Sequence, residues 1–174
     1  MNLETLFSRE QIDAAVESAA ARVLARFGTE EDVLVLVLLN GALPYAADLL
    51  RKLPANYLYT AVQVSSYGDG TESSGKLTWK SPMPFVEGQR VLVVDDVLDT
   101  GVTLSTLLRE LRAGGAADVA VSVAVDKPAR RRCEVPDVIA ALTVEEDAFL
   151  IGYGMDMAGR YRNLPHIACV LPDA

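Results

Sequence analysis

Three carboxylates fall within five residues of the stretch "VLVVDDVLDTGVTLSTL" (91–107): Asp95, Asp96 and Asp99. An apolar run leads straight into them. Bare carboxylates cost several kcal/mol each when taken out of water without partners. Either these three stay solvated, or something comes to meet them. Asp99 is followed by Thr100, Gly101, Val102 and Thr103 before a helical pattern begins. That "DTGVT" segment lies between a strand end and a helix N-terminus, where free N–H groups and the helix dipole favour an anion. Gly101 lets the backbone approach closely, and the Thr100 and Thr103 hydroxyls add donors. Plain N-capping by Asp or Thr would account for the spacing equally well. The neighbouring acids tip the balance, because sugar hydroxyls and a divalent metal are ligands that carboxylates accept.

A second phosphate-like pattern fails on context. Residues 70–76, "GTESSGK", fit G-x-x-x-x-G-K, but the next residue is Leu77 where a P-loop needs Ser or Thr. "LTWKSPMP" then carries two prolines and no amphipathic turn, and Glu72 would put negative charge into the cradle. The single His166 lies in a late apolar segment far from the acids, which suits a structural role. The short basic run "KPARRR" (127–132) reads as a solvated loop rather than a phosphate track.

The elements that must position these residues follow from period and punctuation. Ser8 and Gln11 make a capping-box pattern, and Ile12, Val16, Ala19, Val23 and Phe27 recur at helical spacing until Gly28. "VLVLVLL" (33–39) is apolar at every position, as in a strand covered on both faces. Pro44 opens a second helix over "PYAADLLRKL". Strands are expected at "LYTAVQV" (58–64), "RVLVVDD" (90–96), "VAVSVAV" (119–125), "DVIAAL" (137–142), "FLIGY" (149–153) and "HIACVL" (166–171). A helix from about 103 to 112 should end at Gly114-Gly115. Alternating strands and helices predict an α/β fold with a mainly parallel twisted sheet flanked by helices. In such sheets ligands bind beyond the carboxyl ends of strands, where Asp95 and Asp96 stand. Between the strands expected at 58–64 and 90–96, residues 65–84 are rich in Ser, Gly and Thr with little apolar period, as in a lid loop.

Composition narrows the classes. A chain of 174 residues suits one domain, 1–174, with a sizeable core. Net charge is −8, which argues against a nucleic-acid surface. The longest apolar stretch is too short to cross a bilayer, and no basic-then-apolar leader opens the chain. Two cysteines, Cys133 and Cys169, form no metal-ligand spacing; reduced thiols in a cytoplasm are expected.

"VLVVDDVLDTGVT" resembles the phosphoribosyl-pyrophosphate signature of the type I phosphoribosyltransferases. "LLNGALPYAADLL", Ser66-Tyr67, "VAVDKPARR", and "FLIGYGMD" followed by "RYRNLPHIACV" resemble the hypoxanthine-guanine branch of that family, in the expected order from Leu38 to Val170. The resemblance implies a core sheet with a small hood and a mobile lid. It implies transfer of phosphoribosyl from phosphoribosyl pyrophosphate to a 6-oxopurine, with Mg²⁺ as cofactor. A xanthine-preferring enzyme, or a non-catalytic nucleotide sensor on the same fold, is the alternative. By the resemblance, Asp95 and Asp96 meet the ribose hydroxyls directly or through metal, and Asp99, Thr100, Gly101, Val102 and Thr103 cradle the 5′-phosphate. Asp99 also stands near purine N7 and handles its proton. Lys127 matches the donor to the 6-oxo group, Phe149 the ring stacked on the base, and Leu150 the backbone that reads the purine edge. Asp156 matches an acid near the metal and Arg162 a grip on pyrophosphate. Ser66 and Tyr67 belong to the lid. Asn40 and Gly41 occupy the pyrophosphate loop, where the family usually has Leu-Lys-Gly; Asn40 brings a donor but no charge, which Lys76 or Lys80 could supply. A homodimer or homotetramer is also implied.

Overall fold

The computed structural model describes residues 2–66 and 77–171. Chain order is β1 (Asn2–Phe7), α1 (Arg9–Phe27), β2 (Val33–Leu38), α2 (Leu43–Leu50), β3 (Tyr57–Val62), β4 (Val64–Ser66), β5 (Leu77–Trp79), β6 (Arg90–Leu98), α3 (Val102–Ala113), β7 (Asp118–Asp126), β8 (Val138–Thr143), β9 (Phe149–Ile151) and β10 (Ile167–Leu171). Five strands pair in parallel in the order β3-β2-β6-β7-β8. This is the mainly parallel sheet flanked by helices that the strand–helix alternation anticipated.

Strand periodicity divides the core into two layers. Val33, Val35, Val37, Leu92 and Val94 face α1 and α2, and the alternate residues Leu36, Leu38, Val91 and Val93 face α3. The capping box at Ser8 and Gln11 forms in both directions, and Gly28 ends α1 at φ 78°. β6 sits centrally, with β2 on one side and β7 on the other. Its order reverses there, which opens a crevice at the carboxyl ends.

Some boundaries differ from the periodicity reading. β6 runs to Leu98, so Asp95 and Asp96 lie inside the strand on the β7 side. On the β2 side the ladder stops at Val37 opposite Val94, because β2 turns away after Leu38. The acids therefore stand beyond one neighbour's end and beside the other. The expected strand 58–64 breaks at Gln63, where β4 leaves to pair with β5 in an antiparallel hairpin. α2 ends at Leu50 rather than Leu53.

β1 was not anticipated. "NLETLF" is mostly exposed and carries no clear period; it becomes a strand by pairing antiparallel with β10, which also pairs with β9. These three strands form the hood above the sheet's crevice. The hairpin at the base of the expected lid packs through Val64, Leu77, Trp79 and Met83 onto the α3 side of the core. Trp79 Nε1 donates to Glu110 Oε2 of α3 at 2.7 Å. Tyr67 and Lys76 lie outside the described residues, as does the side chain of Ser66.

Candidate active site

Alternation along β6 sends its two adjacent acids to opposite faces. Asp95 lines a cavity of about 120 Å³ beside the start of α3, with Leu98, Asp99, Thr100, Gly101 and Thr103. Asp96 lines a cavity of about 200 Å³ under the hood, with Asp99, Lys127, Phe149, Leu150 and Asp156. Val97 and Asp99 border both. One strand thus supplies a carboxylate to each half of a continuous site.

The two acids are held by their own backbone. Asp95 Oδ1 accepts from the Asp96 N–H at 2.9 Å, and Asp96 Oδ1 accepts from the Val97 N–H at 2.8 Å. Burial pushes the Asp95 carboxyl well above the usual carboxylate range, and the Asp96 charge raises it further. Burial raises Asp96 as well, opposed by its hydrogen bonds and by the Arg162 charge. Such a pair favours a ligand that brings hydroxyl donors or positive charge.

The helix entrance is open. Gly101 is the N-cap of α3 at φ 81°, and no side chain caps that end. The plain capping alternative therefore does not hold here. A Cβ at Gly101 would lie 2.4 Å from the Cys133 carbonyl oxygen. The loop is buttressed from behind: Arg132 and Cys133 N–H groups donate to Thr100 O, and Arg131 Nε donates to Asp99 O at 3.0 Å. Arg131 also binds Leu98 O and the Asp126 carboxylate. Part of the basic run expected to be solvated is a brace for the loop between β6 and α3. Its place directly after the apolar strand β7 was the available signal.

In the hood-side cavity, Lys127 is 5% exposed, and its ammonium donates to Ala148 O at 2.6 Å. Asp147 lies 3.8 Å from it. Phe149 is 53% exposed at the cavity wall, as a stacking residue requires, while Leu150 behind it is buried. Asp99 Oδ1 is buried and, among the described residues, has no hydrogen-bond partner. An orphaned carboxylate oxygen is costly to keep and marks a place for an absent donor. Arg130 Nε stands 3.6 Å from it, another residue that sequence reasoning left in solvent.

The residues expected to meet pyrophosphate border the site less directly. The Leu39–Asn40 peptide is cis. Gly41 packs on Asp96 so closely that a Cβ would lie 1.7 Å from Asp96 Oδ2. Asn40 is exposed and lines neither cavity. Asp156 lines the hood cavity and is tied to Gly159 N at 2.6 Å and Arg162 Nη2 at 2.7 Å. Arg162 itself faces a neighbouring cavity of about 200 Å³ with Arg9, Asp48 and Tyr153. Lys80 is exposed near the hairpin base. Asp95, Asp96 and Asp156 are not gathered into one cage: among the described residues no group of three His, Cys, Asp or Glu could hold a metal. His166 is half-buried just before β10, outside both cavities.

A sequence profile of the phosphoribosyl transferase domain matches residues 3–158. The hypoxanthine-guanine phosphoribosyltransferase of Bacillus subtilis is 35% identical over 170 residues, covering 97% of this chain and 93% of that protein. Its counterpart in Aquifex aeolicus is 34% identical, covering 97% and 94% respectively. The crystal structure of a hypoxanthine-guanine phosphoribosyltransferase from Bacillus anthracis superposes with a TM-score of 0.89 at 32% identity, covering 97% of this chain and 98% of that one.

Proposed function

The chain belongs to the phosphoribosyltransferase family, among the hypoxanthine-guanine enzymes, and from that membership we propose how its residues carry out purine salvage. Phosphoribosyl pyrophosphate and hypoxanthine or guanine are the substrates; IMP or GMP and pyrophosphate are the products. The observation that carries the assignment is the buried Asp99 Oδ1, without a hydrogen-bond partner among the described residues, in a cavity shared with Lys127 and Phe149. That oxygen accepts the purine N7 proton. Lys127 donates to the 6-oxo group, Phe149 stacks on the ring, and the backbone at Leu150 meets the base edge. On the other face, the uncapped start of α3 takes the 5′-phosphate on residues 99–103. Asp95 and Asp96 accept the ribose hydroxyls between the two.

In this pose purine N9 bonds to ribose C1′ as the C1′–oxygen bond to pyrophosphate breaks. The N7 proton passes to Asp99, and the departing pyrophosphate leaves toward residues 40–41 and Arg162. Ser66 and Tyr67 would cover the reacting centre and exclude water.

Magnesium fits the donor set. The half-buried carboxylates of Asp95, Asp96 and Asp156 are hard oxygen donors, and Mg²⁺ is commonly held by one or two carboxylates plus substrate oxygens. The ion would neutralise charge on the leaving group. This reading also includes a cytoplasmic location and a homodimer or homotetramer. Among the described residues no helix is long and apolar enough to cross a membrane. Leu43 of α2 and Leu58 and Tyr59 of β3 offer exposed apolar surface for assembly.

Incubation with phosphoribosyl pyrophosphate, Mg²⁺ and each purine in turn tests the assignment through pyrophosphate release. Hypoxanthine and guanine should be turned over. Adenine should be rejected, because its 6-amino group sets donor against the Lys127 donor. Efficient use of adenine would overturn the role of Lys127.

A further inference from the structure

The wall between Asp99 and Lys127 holds a cation with no task in the scheme above. Arg130 lies in the short 3-10 turn Pro128–Arg130 that follows β7, and lines the hood cavity. Its Nε is 3.6 Å from Asp99 Oδ1 and 3.7 Å from Asp147 Oδ1. Both separations exceed hydrogen-bond length, so its N–H donors are not committed to either carboxylate. Its side chain is 45% exposed and has room to turn. Arg131 next to it is fastened to Asp99 O, Leu98 O and Asp126, so the turn's backbone is anchored while Arg130's head is loose.

An uncommitted donor set thus stands beside an unpartnered acceptor, Asp99 Oδ1, on one cavity wall. The complementary ligand edge has a donor next to an acceptor. The N7–H and 6-oxo oxygen of a 6-oxopurine form such an edge, and guanidinium is suited to a purine 6-oxo oxygen. Lys127 has already given one donor to Ala148 O and cannot turn freely within its buried seat. From these positions we infer that Arg130 is a second donor to the 6-oxo oxygen and a determinant of base selection. The inference rests on the reading of Asp99 as the N7 partner. On base binding Arg130 leaves its ion-pair position and closes on the oxygen beside Lys127, the two cations standing 3.7 and 3.8 Å from the same Asp147 Oδ1.

The test compares hypoxanthine with its 6-thio analogue, whose sulfur is a weak acceptor. KM and kcat are measured for both bases, at saturating phosphoribosyl pyrophosphate and Mg²⁺, in the wild type, Arg130→Met and Arg130→Lys. Arg130→Met should raise the KM for hypoxanthine about tenfold, as loss of one charge-assisted hydrogen bond implies, with kcat changed by less than about threefold. The KM for the thio analogue should rise far less, and Arg130→Lys should recover most of the loss. An unchanged KM for hypoxanthine, or an equal rise for both bases, overturns the role of Arg130 while leaving the salvage reading intact. A wild type that releases pyrophosphate with neither base overturns the salvage reading, and this inference with it.

Discussion

At the scale of single residues, position along β6 and in the loop just after it separates three chemically identical groups. Asp95 faces the α3 entrance and Asp96 the hood, while Asp99 borders both cavities and keeps one oxygen free. Their amides should therefore fail differently. Asp95→Asn and Asp96→Asn should raise the KM for phosphoribosyl pyrophosphate and the Mg²⁺ requirement, because an amide attracts a cation less and accepts fewer hydrogen bonds. Asp99→Asn should mainly lower kcat, by ~10²–10⁴-fold, since an amide cannot take the proton. The 5′-phosphate cradle should survive that change, its donors being largely backbone N–H groups. Measuring kcat and both KM values for the three variants decides it; three indistinguishable enzymes would dismiss the division of roles.

At the scale of elements, the entrance to α3 depends on a conformation that its sequence makes cheap. Gly101 sits at φ 81° with the Cys133 carbonyl pressed against it. Alanine there must accept a left-handed backbone and displace the brace formed by residues 131–133. The expected cost is about 1–3 kcal/mol, or roughly 2–12 °C in Tm for a chain of this size. The KM for phosphoribosyl pyrophosphate should rise in the same variant, because the N–H groups of α3 lose their aim. A Gly101→Ala protein with normal Tm and normal KM would show that this turn is not the phosphate seat.

At the scale of the whole molecule, stability and chemistry occupy opposite ends of the sheet. Arg26 of α1 forms two hydrogen bonds to Asp118, at the start of β7, and one to Asp137, just before β8. It also lies over the Phe27 ring at 5.0 Å, as Arg90 does at 5.1 Å. The hydrogen bonds from Arg26 hold the Asp118 carboxyl below its ordinary value of 3.8. A carboxyl lowered on folding contributes stability above its unfolded pKa, and that contribution is lost as pH falls through the lower folded value. Arg26→Met should thus be destabilised at pH 7 by about 1–3 kcal/mol, discounted toward the lower figure for partial exposure. The gap to wild type should shrink below about pH 4. Thermal unfolding from pH 7 down to pH 3 measures it, and kcat at pH 7 should stay near normal. A gap that persists unchanged in acid would mean that lost packing, not the ion pair, is responsible.

What the sequence by itself determined is local. The capping box at Ser8, the all-apolar β2 and the acid-rich end of β6 are written in spacing and residue type, so the parallel sheet and the glycine turn before α3 were legible. The motifs around Asp99, Lys127 and Phe149 singled these residues out, and the fold brings all three to one cavity. Tertiary structure decided what spacing cannot encode. β1 is a strand only because β10 offers an edge to it. That Asp95 and Asp96 stand beyond the sheet on one side depends on where β2 ends, at Leu38, and not on β6, which runs on to Leu98. Arg131 became a brace and Arg130 a cavity wall because the turn after β7 folds back across the β6–α3 loop. A charge run looks solvated when read along the chain, for two of its partners, Asp99 and Asp147, lie well outside its own window and meet it only in the folded sheet.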